Sequence, residues 1–430
     1  MPADDQRPAR QLFDRTVLGL LALALVARVA MVLATRDLHL VNDPADYHRL
    51  AVSISDGHGF GSSVVAAGGG ATAFRAPLYP GLLGVVYAVL GVHLTAARLV
   101  QAVVGTGTVA LLYLLAYRVF GRRVALVATA IAAVYPPLVL ASTWMLSEVV
   151  FIPLELAALL AAFHARRLSG SPTAWRWAAA AGVFGGLACL ARSIGLVVVG
   201  VSAILVWTGR PRVSLKSLAA PVLVGGLAVV VVAPWTIRNA VTVHRFVPFT
   251  TADAFTLGGT YNDLSRTTPP RSAFRPFSVI PEYKALYTDK SLKEADVYDA
   301  LRTGAVDYMK DHPGYVAVSF ERNLRRLYDV GGIEFSRDAN RSIDVRRRLS
   351  DLTMISFWLI GLAALIGIFT AARRRAPLVF WLTPVFFTLL TAIAVGTTRY
   401  RMPIEPFVVL LAALAVVQVA DRARGASTDG

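Results

Sequence analysis

Residues 16–35 read TVLGLLALALVARVAMVLAT, an apolar run in which Arg28 carries the one charge. A helix of about 20 apolar residues is long enough to span the hydrocarbon core of a bilayer. Three arginines precede the run, as in a secretory signal, but a signal would have a shorter apolar stretch and a small-residue cleavage site. We therefore predict that the run is an uncleaved first span and that residues 1–15 form a cytoplasmic tail.

Apolar sequence of this kind continues along most of the chain. Hydrophobic residues make up 56% of the 430 residues, charged residues make up 16%, and the mean hydropathy is +0.57. This composition excludes a disordered chain and is atypical of a water-soluble enzyme. It predicts an all-α polytopic integral membrane protein with about ten spanning helices. The further apolar runs lie at 77–92, 98–117, 124–140, 148–165, 175–191, 194–208, 218–235, 351–370, 377–395 and 404–420.

The basic residues set the predicted orientation in the membrane. Lys and Arg number 43 against 27 Asp and Glu, but they cluster at the ends of the apolar runs, so we predict no nucleic-acid partner. The positive-inside rule places these clusters in the cytoplasm. If the run at 77–92 crossed the membrane, the cluster at 118–123 would lie outside. We therefore predict that 77–92 is a juxtamembrane helix on the outer surface; the alternative is that it spans and a neighbouring run does not.

This topology divides the rest of the chain into a membrane domain and one large loop. Residues 16–235 form an N-terminal membrane module that includes a first outer loop at 36–97. Residues 236–350 are mostly polar and are predicted to form a small extracytoplasmic cap. Residues 351–420 form the C-terminal membrane helices, and 421–430 form a cytoplasmic tail. The expected location is the plasma (inner) membrane, with the candidate site on the extracytoplasmic side.

The first outer loop contains the leading candidate for a general base. Asp43 follows the first span and Arg75 lies later in the same loop, so a base and a charge clamp can pair there. The alternative is that Asp43 caps a helix that begins near Pro44. His48 and His58 could join a carboxylate at a metal, but the loop has no compact ligand motif and we assign no metal site.

Several arginines are predicted to lie at the outer membrane surface, where the positive-inside rule disfavours them. Guanidinium groups bind phosphate and pyrophosphate as bidentate donors, so the set predicts an anionic ligand near the lipid headgroups. For any one of these arginines the alternative is that it snorkels to the interface. The set consists of Arg75, Arg98, Arg192, Arg238, Arg399 and Arg401.

Three more outer residues are candidates for binding the substrate. Glu148 begins an apolar run, and it either takes part in the site or complements its helix N-terminus together with Ser147. Tyr400 and Glu405 belong to the last outer turn, TTRYRMPIEP at 397–406, which can bind a phosphate or position a sugar. The competing interpretation is a structural pair between Glu405 and an arginine of the turn.

Seven short motifs occur along the chain in a familiar order. They are Asp43-x-x-x-Tyr47, RAPLYP at 75–80, Ala97-Arg98-Leu99, Ser147-Glu148, Leu190-Ala-Arg192, PWTIRN at 234–239 with FVP at 246–248, and RYRMPIE at 399–405. With these motifs the chain resembles the GT-C membrane glycosyltransferases that use polyprenyl-phosphate-linked sugars, which include protein O-mannosyltransferases and the lipid A aminoarabinose transferase. The resemblance implies that Asp43 is the catalytic aspartate and that Arg98 lies near the donor phosphate. Two positions depart from those groups: Pro44 replaces a second acidic residue, and Ala76 interrupts a Pro-Pro pair.

The resemblance implies a GT-C-like helical bundle and an inverting, mannosyltransferase-like glycosyltransferase. Such an enzyme moves a monosaccharide from a polyprenyl-phosphate donor to a hydroxyl of a glycan, lipid or protein acceptor on the extracytoplasmic face. Asp43 would take the proton of the acceptor while arginines stabilise the departing phosphate. No cofactor is required, and a divalent metal is compatible with this chemistry although no motif supports one. The alternative is a flippase or transporter of a lipid-linked or anionic substrate, which would place ionisable residues along a path through the membrane. The sequence leaves the oligomeric state open.

Overall fold

The structure, a computed structural model, describes residues 13–61, 71–209, 213–268, 274–289 and 291–426. Apart from an isolated bridge between Gly61 and Ala71, these residues form helices and connecting segments. The predicted all-α fold is confirmed. Most of the predicted tail at 1–15 and part of the tail at 421–430 lie outside the described residues.

The helices follow the order of the predicted apolar runs, with additional helices in the two large outer loops. They are α1 (Arg15–Ala34), α2 (Asn42–Ser55), α3 (Leu78–Leu90), α4 (Leu94–Phe120), α5 (Arg122–Val134), α6 (Pro136–Ala141), α7 (Glu148–Arg167), α8 (Pro172–Ala191), α9 (Leu196–Val206), α10 (Leu215–Thr242), α11 (Ala252–Thr260), α12 (Asp263–Thr267), α13 (Lys284–Thr288), α14 (Glu294–Asp311), α15 (Pro313–Leu327), α16 (Ile333–Arg341), α17 (Arg347–Ile368), α18 (Leu378–Ala394) and α19 (Glu405–Ala426). Short 3₁₀ turns at Ser193–Gly195 and Thr398–Arg401 connect membrane helices at the end that carries the candidate site.

Seven of these helices are long and apolar enough to cross a membrane: α1, α4, α7, α8, α10, α17 and α19. Shorter apolar helices lie at Leu78–Leu90, Ser193–Val206 and Leu378–Ala394. The predicted run at 124–140 is divided between α5 and α6 at Tyr135. Pro136 causes this break, because proline lacks an N–H and disfavours helical backbone in the residue before it. The multi-pass architecture is therefore observed, and the figure of ten spans stays a prediction.

One basic cluster lies at the end of the helix bundle where α1 begins and α19 ends. Arg122, at the turn between α4 and α5, pairs with Asp14 at the start of α1 at 2.5 Å. The adjacent Arg123 pairs with Asp421 near the end of α19 at 2.9 Å. The start of the first span and the end of the last one therefore lie at the same end as this cluster, as the charge pattern predicts for two termini on one side of the membrane.

The first outer loop lies at the opposite end, where α2 and α3 pack against each other. Tyr47 and Ala51 of α2 are buried with Tyr79 and Leu83 of α3. The other face of α3 exposes apolar side chains, including Leu82, Val85 and Val89. A helix of 13 residues is about 20 Å long, shorter than the ~30 Å hydrocarbon core. Its length and its apolar outer face favour the predicted juxtamembrane position.

Among the described residues, the segment between α10 and α17 contains six helices, α11 to α16, and we call this segment the cap. Its first helices pack through a cluster that contains Phe255 of α11 and Leu301 of α14. The buried carboxylate of Glu294 accepts hydrogen bonds from the Ala73 N–H at 3.0 Å and from the Thr251 hydroxyl at 2.7 Å. The cap is therefore fastened to the segment of the first outer loop that leads directly into Arg75.

One carboxyl group within the bundle has no hydrogen-bonding role. Glu155 in α7 is fully buried, and neither of its side-chain oxygens has a hydrogen-bond partner among the described residues. A buried polar group without a partner costs about 1–3 kcal/mol. We expect Glu155→Leu to increase the free energy of unfolding by about that amount, seen as a higher thermal midpoint of the detergent-solubilised protein. Glu155→Gln, which stays polar, is the control, and a lower midpoint for Glu155→Leu would show that the carboxyl group has a stabilising contact.

Candidate active site

Asp43 lies between two arginines that come from distant parts of the chain. Arg75 Nη2 donates to Asp43 Oδ1 at 2.5 Å, and Arg399 Nη1 donates to Asp43 Oδ2 at 2.5 Å. Asp43 is in the first turn of α2. The N-cap residue of that helix is Val41, and no side chain caps the helix start with a hydrogen bond. The Asp43 carboxylate faces the two guanidinium groups instead. The position at a helix start and the pairing with Arg75 are therefore both realised, and the carboxylate does not serve as a cap.

A second carboxylate lies on the far side of Arg399. The Nε of Arg399 donates to Glu148 Oε1 at 2.7 Å, and Arg192 Nη1 donates to the same oxygen at 2.5 Å. Glu148 begins α7, Arg192 follows α8, and Arg399 lies in the turn before α19. Three separate helix ends therefore bring these side chains together. The sequence predicted all three residues to lie in outer segments, and their proximity agrees with that prediction.

The pairing continues on the other side of Asp43. Arg75 Nε donates to Asp46 Oδ2 at 2.6 Å. The paired side chains thus form a row of alternating charge, which we call the charge network. In order, it consists of Asp46, Arg75, Asp43, Arg399, Glu148 and Arg192. Three carboxylates balance three guanidinium groups. Opposite charges at hydrogen-bonding distance compensate for burial of the ions at the end of an apolar bundle.

Asp43 is the carboxylate of the charge network that water reaches. Its side chain is 25% exposed, whereas Asp46 is 1% and Glu148 0% exposed. Burial raises the pKa of Asp43, but Arg75 and Arg399 outweigh this effect and hold the pKa well below its usual range. Asp43 is therefore ionised at neutral pH and open to a ligand, while the two other carboxylates hold the arginines in place.

An aromatic ring supports the two arginines around Glu148. The Tyr400 ring lies 4.9 Å from the Arg192 guanidinium carbon and 5.6 Å from that of Arg399. A cation over an aromatic face is attracted by the ring quadrupole. Burial raises the pKa of Tyr400, so its hydroxyl stays protonated. Tyr400 thus lies beside the charge network, and its role in binding the substrate stays a prediction.

Comparison with known proteins supports the same architecture. A family model described as dolichyl-phosphate-mannose-protein mannosyltransferase matches residues 75–237. The archaeal oligosaccharyltransferase AglB from Archaeoglobus fulgidus, solved with an inhibitory peptide and a dolichol-phosphate, aligns with a TM-score of 0.57 at 14% sequence identity, over 96% of this chain and 52% of that chain. The chain has the GT-C glycosyltransferase fold. It spans about half the length of AglB.

Two further solved structures align with this chain over most of its length. The Archaeoglobus fulgidus oligosaccharyltransferase in complex with Zn and sulfate aligns with a TM-score of 0.55 at 16% identity, over 94% of this chain and 49% of that chain. ArnT from Cupriavidus metallidurans, bound to undecaprenyl phosphate, aligns at 16% identity over 94% of this chain and 78% of that chain, with a TM-score of 0.46. No curated protein matches the sequence.

Arg98 lies beside the site instead of within the charge network. Its side chain is 2% exposed and donates to the Thr143 carbonyl at 2.7 Å, and to the carbonyl and hydroxyl of Thr35, each at 2.6 Å. These contacts join the end of α1 to the segment that precedes Glu148. Arg98 therefore positions the backbone near the site, and its predicted role at the donor phosphate stays a prediction.

Arg238 lies at the edge of the first outer loop. Its Nη1 donates to the Thr72 carbonyl at 2.6 Å, and its guanidinium carbon lies 4.8 Å from the Trp235 ring. A weaker bond of 3.3 Å joins Nη2 to the Phe60 carbonyl. Arg238 thus holds Phe60 and Thr72 against α10, and Nη1 also donates to the neighbouring Asn239 Oδ1 at 3.0 Å. These partners lie outside the charge network.

Arg401 and Glu405 form the buried structural pair that the sequence left as the alternative to phosphate binding. Arg401 Nε donates to Glu405 Oε1 at 2.6 Å, and Nη1 donates to Asp329 Oδ2 at 2.8 Å. Tyr135 donates to the second oxygen of Glu405 at 2.8 Å. The arginine is 1% exposed and the glutamate 0%. The two residues tie the last outer turn to the cap and to α5, and they do not contact the charge network.

The sequence did not lead us to assign Asp46 or Ser147 to the site. Asp46 is three residues after Asp43 on α2, a spacing that places both on one helix face. Ser147 accepts from Arg192 at 3.3 Å and from the Tyr47 hydroxyl at 3.2 Å. The i, i+3 spacing of the two aspartates was a usable signal for Asp46. No pattern marked Ser147 beyond its place before Glu148.

No group of three or more His, Cys, Asp or Glu side chains that could hold a metal occurs among the described residues. His48 is hydrogen-bonded through Nδ1 to the Tyr87 hydroxyl at 2.8 Å. Asp43 and Glu148 each face two guanidinium groups. Because both carboxylates are already paired with cations, this donor set fits an anion bound by arginines better than a divalent metal ion.

Proposed function

We propose that this GT-C chain is an inverting glycosyltransferase that moves a monosaccharide from a polyprenyl-phosphate donor to a hydroxyl-bearing acceptor on the extracytoplasmic face. The observation that carries the proposal is the water-accessible carboxylate of Asp43, held between Arg75 and Arg399. The match to dolichyl-phosphate-mannose-protein mannosyltransferases over residues 75–237 supports the donor class. The acceptor is a glycan, a lipid or a protein.

The proposed mechanism is a single displacement at the anomeric carbon. The acceptor oxygen attacks that carbon while its proton passes to Asp43, and the bond from the anomeric carbon to the phosphate oxygen breaks. Guanidinium groups of Arg75 and Arg399 stabilise the charge that develops on the departing lipid phosphate. Because the acceptor oxygen attacks the face of the anomeric carbon opposite the departing phosphate, the configuration at that carbon is inverted.

The same two arginines would contact both the base and the phosphate, which couples donor binding to proton transfer. In the charge network, Arg75 and Arg399 depress the pKa of Asp43 and make it a weak base. A donor phosphate would draw the guanidinium groups toward itself. The pKa of Asp43 would then rise, so the base would become effective when the donor is in place.

A small cavity lies beside the charge network. Its volume is about 30 Å³, and its lining includes Leu140, Trp144 and Ile343 together with Glu148 and Arg399. This space holds about one water molecule, so it is too small for an isoprenoid chain. The lipid part of the proposed donor therefore rests on the family match over residues 75–237.

A donor panel tests this proposal. Membranes that contain the full chain would be incubated with radiolabelled polyprenyl-phosphate sugars and, separately, with nucleotide sugars. We expect label transfer from one polyprenyl-phosphate sugar and none from nucleotide sugars. Arg399→Gln should raise the donor KM at least tenfold, because a charge-assisted hydrogen bond contributes about 1.5–3 kcal/mol. Arg374→Gln, at an exposed arginine of the opposite end, is the matched control. Movement of the lipid across the bilayer without any transfer of sugar would favour the flippase instead.

A further inference from the structure

The residue before the proposed base has an uncommon backbone conformation. Asn42 is the first residue of α2, and its φ of 50° lies in the left-handed region that residues other than glycine rarely adopt. Asparagine tolerates this region better than most side chains. Because Asp43 follows directly, the backbone of Asn42 sets the direction in which α2 and the Asp43 carboxylate begin.

Contacts with the cap hold the backbone just before Asp43. The Nδ2 of Asn42 donates to the Ser342 carbonyl at 2.6 Å, across 300 residues of sequence. Three residues earlier, the His39 N–H donates to Asp344 Oδ2 at 2.8 Å. The start of α2 is therefore anchored to a segment outside its own helix and outside the first outer loop.

The anchoring segment, residues 340–345, is itself held in place. The Asn340 carbonyl accepts from the N–H groups of Ile343 and Val345, at 3.1 and 3.0 Å, which closes a turn around Ser342. Val345 is buried in a cluster with Trp144, and Trp144 Nε1 donates to the Ile343 carbonyl at 2.8 Å. The Ser342 carbonyl thus has a defined position relative to the membrane helices.

The same segment contacts the turn that carries Arg399. The Thr398 hydroxyl donates to Asn340 Oδ1 at 3.2 Å, and Asn340 Nδ2 donates to the Ser350 hydroxyl at 2.8 Å. Thr398 directly precedes Arg399, as Asn42 directly precedes Asp43. Residues 340–345 therefore lie against the immediate neighbours of both partners in the ion pair between Asp43 and Arg399.

We propose that Asn42 is a positioning residue that holds Asp43 in place through its left-handed backbone and its hydrogen bond to Ser342. This inference rests on the proposed function. Pro44 restricts the backbone on the other side of Asp43, because its ring fixes φ. A residue that relaxes out of the left-handed region at position 42 would rotate the start of α2. The Asp43 carboxylate would then leave the hydrogen-bonding reach that a general base requires.

The competing explanation is that Asn42 only relieves backbone strain and so supports the fold. The chain offers a matched control for strain. His244 has a φ of 56° and is also exposed, and it follows α10, where its carbonyl accepts from Arg245 at 3.0 Å. His244→Ala therefore places alanine in the same backbone region without altering the residue before Asp43.

The test compares the full wild-type chain with Asn42→Ala, Asn42→Gly and His244→Ala, using the donor that the panel selects. Asn42 is exposed, so these variants leave no cavity and we expect them to fold. Asn42→Ala should lower the rate at saturating donor about tenfold, the effect of about 1.4 kcal/mol. Asn42→Gly should be only about threefold slower than the wild type, because glycine restores the left-handed backbone but not the amide.

The separation of rate from binding is a readout that a structural role would not give. The donor KM of both Asn42 variants should stay within about twofold of the wild type, because the arginines proposed to bind the phosphate remain. His244→Ala should match the wild type in rate and in donor KM. The thermal midpoint in detergent measures the fold of each variant independently of transfer.

The outcomes separate this inference from the proposed function. Absence of transfer by the wild type from every donor overturns both. Transfer by the wild type with an equal rate in Asn42→Ala overturns the role of Asn42 alone. The same holds if His244→Ala loses as much activity as Asn42→Ala, or if Asn42→Gly is no faster than Asn42→Ala. A lower thermal midpoint of Asn42→Ala with an unchanged rate per folded molecule would assign Asn42 to the fold and also overturn its role.

Discussion

Asp43→Asn is expected to lower the rate of sugar transfer by about 10²–10⁴-fold, the usual contribution of a positioned general base. The amide cannot accept the acceptor proton, although it keeps the size of the carboxylate and one oxygen for Arg75 or Arg399. The measurement is transfer of radiolabelled sugar from the selected donor, with equal amounts of wild-type and variant protein in the membrane. The donor KM should change much less than the rate, because the arginines that bind the phosphate remain.

Asp56→Asn is the matched control for this prediction. Asp56 belongs to the same outer loop, at the end of α2, and its side chain is exposed. We expect its rate to equal that of the wild type. Unchanged transfer by Asp43→Asn would remove Asp43 from the mechanism, and a variant that fails to accumulate would be distinguished from an inactive one by its thermal midpoint.

Glu148→Ala is expected to cause the largest loss of stability. Glu148 is fully buried between Arg192 and Arg399, so its removal leaves two guanidinium groups without the carboxylate that they share. Breaking a buried ion pair by removing one partner costs about 3–5 kcal/mol. We expect a lower thermal midpoint in detergent and loss of transfer, because Arg399 also depends on Glu148 for its position beside Asp43.

Glu321→Ala provides the contrast. Glu321 pairs with Arg325 one helical turn away on an exposed face of α15, and exposed pairs of this kind contribute about 0.3–0.5 kcal/mol. Its thermal midpoint should be close to that of the wild type. If Glu148→Ala were as stable as Glu321→Ala, the charge network would contribute little to holding the outer ends of the helices together.

The architecture could be predicted from the sequence because hydropathy and charge act over whole segments. Basic clusters at 118–123 and 373–375 predict one membrane face, and the structure places Arg123 beside Asp421 at one end of the bundle. The break at Pro136 is also a local signal. The length of individual spans was less predictable, since packing against neighbours decides where a short apolar helix such as α9 begins and ends.

The sequence indicated which of the predicted outer segments carry the candidate site residues, but it did not predict the direction of their side chains. Asp43, Glu148 and Arg399 meet, whereas Arg98, Arg238 and Arg401 contact other groups. A sequence gives the height of a residue along a helix but not the rotation of that helix in the bundle. Three-dimensional packing alone therefore separates the arginines that face Asp43 from those that hold loops.

The contact between Asp253 of α11 and Ser193 was not predicted, because it depends on how the cap packs against the loop that follows α8. Sixty residues separate the two in the chain, and neither belongs to a recognisable motif. Contacts of Thr250 and Thr251 with Ala73 and Phe74 establish the arrangement, and these are backbone and hydroxyl contacts that composition does not reveal.

The charge network also constrains the order in which the protein can mature. Arg399 and Asp43 are 356 residues apart, so a growing polypeptide inserts its first spans long before the partner of Asp43 has been synthesised. Until the turn before α19 emerges, Asp43 and Glu148 are each short of one guanidinium group. A chain that stops before that turn would contain most of the bundle, including residues 75–237, and would lack a completed site. Synthesis of that turn is therefore the step at which the charge network of a nascent chain becomes complete.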